Sequence, residues 1–279
     1  MNVDIKLKHY LFRVKKMELR EQAFCELTHW HVKNLYEIEE EAACFIGGFA
    51  EQDLPLAFEH VEEVFRQDSC IDWKQHWELF AEGFKEGVAC IDLCPYGCLE
   101  KVVMEPGPGF GDVSHPTTCL CLELMLPYVK GKKVLDVGCG SGILSLAAAL
   151  MGGSHVIGLD IDKEAVSHAT RNVQMNHLED RVQIVEAGLF SSTSFCVDVA
   201  LINMIESEQK SAWGSYPSLH RSSLIIVTSG IRQERRDAYL REVTTRGWVP
   251  ICEKMREEWL GFVFVSSLDL LHNEGFVGF

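Results

Sequence analysis

Apolar residues follow two different periods along this chain. From about residue 117 onward, short runs rich in Val, Ile and Leu alternate with segments in which apolar residues recur every three or four positions. The first pattern reads as a buried strand and the second as an amphipathic helix. Strands are expected at Val134 to Val137, Ser154 to Asp160, Val182 to Val185, Val197 to Ile202 and Leu224 to Ser229. Helices are expected at Thr117 to Tyr128, Ile143 to Leu150 and Gln233 to Arg246, with a further one after Asp162 built on Ala165, Val166, Ala169 and Val173. Asp162 is placed to cap that helix, and Gly152, Gly153 and Gly247 supply stops. The last two strands, Trp248 to Glu253 and Trp259 to Val265, lie close enough in sequence to pair as an antiparallel edge. This order predicts an α/β fold, a doubly wound seven-stranded sheet with one strand reversed.

The first part of the chain is patterned differently. Tyr10 to Lys16 alternates as a strand, Leu19 to Val32 has helical spacing, Tyr36 to Ala50 is extended material broken at Gly47 and Gly48, and Leu56 to Phe65 reads as a second helix. The resulting β-α-β-β-α order suggests a small ferredoxin-like α+β domain over residues 1–66. Residues 67–103 read as a connector, with Trp73, Trp77, Phe80 and Phe84 at helix-like intervals and then a strand from Gly87 to Leu93. Residues 104–279 form the remaining, larger domain.

Composition narrows the class. With 47% hydrophobic residues, a chain of 279 can bury an extensive core. No apolar stretch approaches a membrane span, and MNVDIKLKHY has neither signal nor transit character, so a cytoplasmic protein without membrane contact is expected. The 11 cysteines, odd in number and scattered, suit reduced thiols. Cys90, Cys94 and Cys98 recur every four residues without a C-x-x-C knuckle, so no metal site is expected. A formal net charge of −15 disfavours direct nucleic-acid contact and favours a basic protein partner.

The candidate chemistry gathers at the first strand of the alternating region. In KKVLDVGCGSGILSLAAAL, Gly138, Gly140 and Gly142 permit positive φ and close backbone approach between a strand and an Ala/Leu-rich helix. The turn reads G-x-G-x-G after Asp136, unlike the G-x-G-x-x-G of dinucleotide sites, and this favours S-adenosylmethionine over NAD. Asp160 closes the second strand at the carboxyl edge, where open parallel sheets bind ligands, and can accept the hydrogens of both ribose hydroxyls. Ile161, next to it, is assigned to the cofactor as well. Asn203 closes the fourth strand and is the candidate catalytic residue, also at the cofactor's edge. Methyl transfer from a sulfonium is an in-line displacement that needs a neutral amine held by acceptors, and an amide oxygen is one. The commoner role of an asparagine after a strand is an Asx turn. Upstream, MEPGPGFGDVSHPTT reads as a loop closing over the cofactor, with Phe110 covering it and the Thr117 and Thr118 hydroxyls meeting its carboxylate at a helix start. His115 reads as a loop-fixing hydrogen bonder rather than a base.

Taken together, these residues resemble the bacterial ribosomal-protein lysine methyltransferases of the PrmA type, within the class I S-adenosylmethionine-dependent methyltransferases. The likeness runs from Trp73 and Trp77 through MEPGPGFGDVSHPTT, VLDVGCGSG, GLDIDKEAV and LINMI to Ser229–Ile231 and the EEW of Glu257 to Trp259. It implies methylation of amino groups, lysine side chains or an α-amine, on a basic ribosomal protein, in that family the eleventh protein of the large subunit. It also implies that the small first domain recognises the substrate. The family's loop usually reads Phe-Gly-Thr-Gly-x-His-Pro-Thr-Thr, whereas Asp112 and Val113 stand here for the threonine and glycine. The family's Ala-Asn-Ile is here Ile202-Asn203-Met204. These departures bear on the substrate more than on the cofactor. Two alternatives stay open: a non-catalytic protein that binds the same cofactor, and a methyltransferase for another protein or a small molecule.

Overall fold

A computed structural model describes residues 8–30, 32–38, 44–49, 55, 57–67, 83–111, 113–187, 196–215, 219 and 224–267. The chain divides into two compact units, residues 1–72 and 73–279.

In the first unit, β1 (Lys8–Val14) is followed by α1 (Arg20–His29), β2 (Lys33–Ile38), β3 (Cys44–Phe49) and β4 (Val61–Gln67). The strands pair antiparallel in the order β2-β3-β1-β4. Tyr10, Phe12 and Val14 share one face of β1, as a period of two requires, and bury against Ala23 and Leu27 of α1 and against Phe45. The helix expected from Leu56 to Phe65 is not formed, because residues 61–67 are strand β4. Val61 and Val64 suit a helical stripe, yet β1 has an open edge whose backbone groups need partners. Helical preference differs by only a few tenths of a kcal/mol per residue and yields to that pairing. Arg13 and Glu63 then face each other across the strands as an ion pair of 2.8 Å. Among the described residues this sheet carries one helix, where a ferredoxin-like domain has two. The helix-like spacing of Trp73, Trp77 and Phe80 lies outside the described residues.

The described part of the second unit begins with a small antiparallel sheet of β5 (Phe84–Lys85), β6 (Val88–Asp92) and β7 (Lys101–Met104). The alternation then begins with α2 (Pro116–Val129), β8 (Lys133–Val137), α3 (Ile143–Leu150), β9 (His155–Asp160), α4 (Lys163–Met175) and β10 (Val182–Glu186). It continues with β11 (Val199–Asn203), α5 (Glu206–Ser215), β12 (Ile225–Arg232), α6 (Arg236–Thr245), β13 (Trp248–Arg256) and β14 (Trp259–Ser266). Among the described residues seven strands form one sheet in the order β10-β9-β8-β11-β12-β14-β13. The first five run parallel, and β14, inserted between β12 and β13, is antiparallel to both.

Both faces of the central strands of this sheet are buried. Val134, Val156, Val199, Leu201 and Val227 pack with Leu122 and Met125 of α2 and Leu144 of α3. Leu135, Ile157, Ala200, Ile202 and Phe262 point the other way, toward Trp213 of α5 and Tyr239 and Val243 of α6. Near-continuous apolar strands are what such two-sided burial demands. Its consequence for function is positional: β8, β9, β11 and β12 end at one edge. Among the described residues no helix is long and apolar enough to cross a membrane.

Candidate functional site

The turn after β8 is built on three glycines in the left-handed region, with φ of 69° at Gly138, 54° at Gly140 and 85° at Gly142. The N–H groups of Gly138 and Cys139 both donate to the Leu159 carbonyl at 2.8 Å, which fastens the turn to the end of β9. The next N–H, of Gly140, donates to Asp160 Oδ2 at 2.9 Å, while Asp160 Oδ1 accepts from Asp162 N–H at 3.0 Å. Asp160 thus ties the turn to the start of α4, and each of its oxygens keeps a further lone pair. Burial raises its carboxyl pKa, and the backbone donors of Asp162, Gly140 and Ile161 pull it only part of the way back.

Asp136 and Ile161 occupy opposite environments. Asp136 is 1% exposed and accepts from Ser145 Oγ at 2.7 Å, beneath the turn. Burial pushes its carboxyl up to about 7. Asp136 thus lies beneath the turn, bonded to the first residues of α3. Ile161 is 84% exposed, a large apolar side chain left in water at the end of β9.

A strap from Pro106 to Gly111 lies directly on the glycine turn. Ser141 N–H donates to the Phe110 carbonyl at 2.8 Å, and Ser141 Oγ donates to the Gly111 carbonyl. A Cβ on Gly140 would stand 2.5 Å from that Phe110 oxygen, so no larger residue fits without moving the strap. The Phe110 side chain stays 46% exposed and meets His115 edge-on at 5.4 Å. His115 in turn meets Trp259 at 5.2 Å, and the Arg232 guanidinium sits 4.6 Å over the Trp259 ring.

The helix start that follows works inward. His115 is the N-cap of α2, its Nδ1 accepting from Thr117 N–H at 3.3 Å and lying 2.8 Å from Thr117 Oγ1. Thr117 is 3% exposed, and the hydroxyl expected to meet a cofactor carboxylate is bonded within the cap. Thr118 is fully buried, and its Oγ1 accepts from Asn203 Nδ2 at 3.4 Å. Val113 has φ of 72°, a left-handed conformation that a β-branched residue rarely adopts, and its carbonyl accepts from Cys119 Sγ at 3.3 Å. Asp112 lies outside the described residues.

Asn203 is half-buried at the end of β11 and makes no Asx turn among the described residues. Thr118 fixes its amide nitrogen, and its amide oxygen has no protein partner among the described residues. The backbone around it is held by a network that sequence inspection misses. Gln209, fully buried on α5, donates from Nε2 to the Met204 carbonyl at 2.8 Å and to the Ser229 carbonyl at 3.0 Å. Its Oε1 accepts from Tyr239 OH at 2.6 Å, and Tyr239 OH lies 3.3 Å from Thr228 Oγ1. Gly230, with φ of 99°, lets the chain pass the Met204 carbonyl, which a Cβ would approach to 2.1 Å. On the other side, His168, Asn172 and Asn176 were also missed. Their spacing of four residues on the helix face that carries Ala165, Ala169 and Val173 was the available signal.

Comparison with known proteins gives a consistent result. A family model described as ribosomal protein L11 methyltransferase (PrmA) matches residues 2–267. Curated proteins of that name include one from Carboxydothermus hydrogenoformans, 34% identical over 73% of this chain and 67% of its own length. Another, from Methylococcus capsulatus, is 35% identical over 67% of this chain and 64% of its own length. The chain thus spans about two thirds of these relatives. Among solved structures, a ribosomal protein L11 methylase from Lactobacillus delbrueckii subsp. bulgaricus is similar in fold, with a TM-score of 0.51 at 24% identity over 57% of this chain and 81% of that one.

Proposed function

This chain belongs to the ribosomal protein L11 methyltransferase (PrmA) family, and from that premise we propose that it methylates an amino group of a ribosomal protein using S-adenosylmethionine. The observation that carries the reading is the amide oxygen of Asn203, oriented by Thr118 and left without a protein partner among the described residues, at the same sheet edge as the glycine turn.

The residues of that edge fit the cofactor. Gly138, Gly140 and Gly142 leave the turn without side chains, Asp160 retains lone pairs for the ribose hydroxyls, and Ile161 and Phe110 offer exposed apolar surface to an adenosyl group. Asp136 supports the turn from beneath. When bound, S-adenosylmethionine supplies an electrophilic methyl group on a sulfonium. The protein's task is then to present a neutral amine in line. Asn203 Oδ1 accepts one amine hydrogen, which aims the nitrogen lone pair away from the amide. A lysine amine has an ordinary pKa of about 10.4, so it must lose its proton to water before attack.

The target is a basic protein of the large ribosomal subunit, modified on a lysine side chain or an α-amine in the cytoplasm, without direct contact to nucleic acid. A net charge of −15 draws such a protein in. Recognition is assigned to residues 1–66, joined by residues 67–103 to the catalytic domain, residues 104–279. Incubation with isotopically labelled S-adenosylmethionine and purified ribosomal proteins, followed by mass spectrometry, tests this. Label is expected on amines of one large-subunit protein. Cofactor binding with no label on any protein would select the non-catalytic alternative.

A further inference from the structure

Along α4 and at its C-cap, three polar side chains at intervals of one turn do the work of a missing strand. Asn176 accepts from Val103 N–H at 2.8 Å through Oδ1 and donates to the Val103 carbonyl at 2.6 Å through Nδ2. Asn172 accepts from Glu105 N–H at 2.9 Å and donates to the Ser141 carbonyl at 2.9 Å. His168 comes last, with Nδ1 accepting from Gly109 N–H at 3.1 Å and Nε2 lying 2.8 Å from the Glu105 carbonyl. Together the three side chains tie β7 and the strap to α4, and Asn172 reaches the glycine turn itself.

His168 is the member that the methyl-transfer scheme leaves without a role. It is fully buried, and burial depresses the pKa of its imidazole, so the ring is neutral. The charged groups that act on it, Glu105 and Arg171, are paired with each other. Gly109 N–H needs an acceptor at Nδ1 and the Glu105 carbonyl a donor at Nε2, so the proton is on Nε2, while Asn172 Nδ2, 3.2 Å from Nε2, directs its N–H to the Ser141 carbonyl. The strap is shaped to this ring. A Cβ on Gly107 would stand 2.5 Å from the imidazole, and one on Gly109 would stand 2.4 Å from the Gly140 backbone. Pro106 and Pro108 have no N–H, so Gly109 offers the strap's last backbone donor before Phe110. Gly109 is buried, and an unanswered N–H there would carry the full desolvation penalty.

We infer that His168 is a positioning residue for the cofactor site: through Gly109 it sets the height of Phe110 above the glycine turn. The kinetic part of this inference rests on the methyl-transfer reading, whereas the structural part does not. Removing the acceptor frees Gly109 and lets the strap lift, while the edge that holds Asn203 is untouched.

Two half-replacements separate the ring's functions. His168→Asn places an amide oxygen where Nδ1 was and keeps an acceptor for Gly109, whereas His168→Gln keeps a donor near the Nε2 position and loses the acceptor. In His168→Gln, binding of S-adenosylhomocysteine by calorimetry is expected to weaken about tenfold. Amide exchange at Gly109 is expected to speed up about tenfold, and the KM for S-adenosylmethionine to rise with kcat changed less than threefold. In His168→Asn all three should return to within threefold of the natural protein. Nitrogen-15 spectra of the natural protein should show an unprotonated Nδ1 and a protonated Nε2, a readout that needs no variant to fold. The opposite tautomer, or a His168→Gln protein with unchanged Gly109 exchange and affinity, overturns the inference. If the natural protein binds no S-adenosylhomocysteine, the methyl-transfer reading fails, while the exchange and tautomer measurements still decide the role of His168.

Discussion

The carboxyl edge of the large sheet has two halves that are built by opposite means. At β8 and β9 nearly every polar group near the turn is already bonded: Gly138, Cys139 and Gly140 donate to the end of β9, Ser141 to the strap, and Asp160 accepts twice. At β11 the same density of bonding surrounds the backbone but, among the described residues, stops short of one atom, Asn203 Oδ1. A rigid cradle suits a ligand that must be held in one pose. An unpaired acceptor on a rigid support suits a group needed only as a bond is made. The two halves therefore differ in what a mutation should cost, with binding lost on one side and rate on the other.

The largest effect should come from filling the cradle. Gly140→Val combines a φ of 54° with a Cβ 2.5 Å from the Phe110 oxygen, and the strain should exceed about 3 kcal/mol. Relieving that strain displaces the strap or the turn, and affinity for S-adenosylhomocysteine should then fall about a hundredfold. Calorimetric binding equal to the natural protein would show that the strap does not rest on the turn. On the other half, Asn203→Ala should lower the single-turnover rate about a hundredfold, equivalent to about 2.7 kcal/mol, with cofactor affinity changed by less than about twofold. A matching loss of affinity would erase the distinction between the halves.

Asp136 sharpens the comparison through pH. Its folded-state carboxyl sits at about 7 against an ordinary value of 3.8, so the native state binds more protons than the unfolded chain between those values. Stability should consequently fall as pH rises through 7. In Asp136→Asn the loss between pH 5.5 and 8 should be smaller by about 2 kcal/mol, at about 1.4 kcal/mol per pH unit. Urea midpoints at the two pH values measure it, and parallel curves for the two proteins would mean that Asp136 is charged throughout. The smallest effect belongs to Tyr239→Phe, which leaves Gln209 Oε1 buried without its donor and should cost about 1.5 kcal/mol of stability. The rate should drop a few-fold and cofactor affinity should not move. An affinity loss in this variant would mean that the two halves communicate.

The same contrast separates what could be read in advance from what could not. The β8–turn–α3 unit was legible because its causes are local: a β-branched run, glycines where the chain turns left-handed, and an Ala/Leu helix. The order of the later strands and helices was legible for the same reason. The bonds that finish the site are not local. Gln209 and Tyr239 are 30 residues apart, Asn176 and Val103 73, and Asn203 and Thr118 85. A polar residue at helical spacing looks alike whether it faces water or a backbone carbonyl across the core, and only the pairing decides.

By itself, then, the amino-acid order determined a strand, a glycine turn and a helix with an aspartate on either side, and from the alternation that follows, a doubly wound sheet. Tertiary structure alone turned residues 61–65, the second half of an expected helix, into a strand, since β1 offered an edge that had to be paired. It alone sent Asp136 beneath the turn and the Thr117 hydroxyl to His115, and it alone left the Asn203 oxygen unpaired among the described residues. Local preferences amount to tenths of a kcal/mol per residue, whereas burying an unpaired polar group costs about 1–3 kcal/mol. That burial penalty outweighs the local preferences and acts between distant segments, and so it is decided only when they meet.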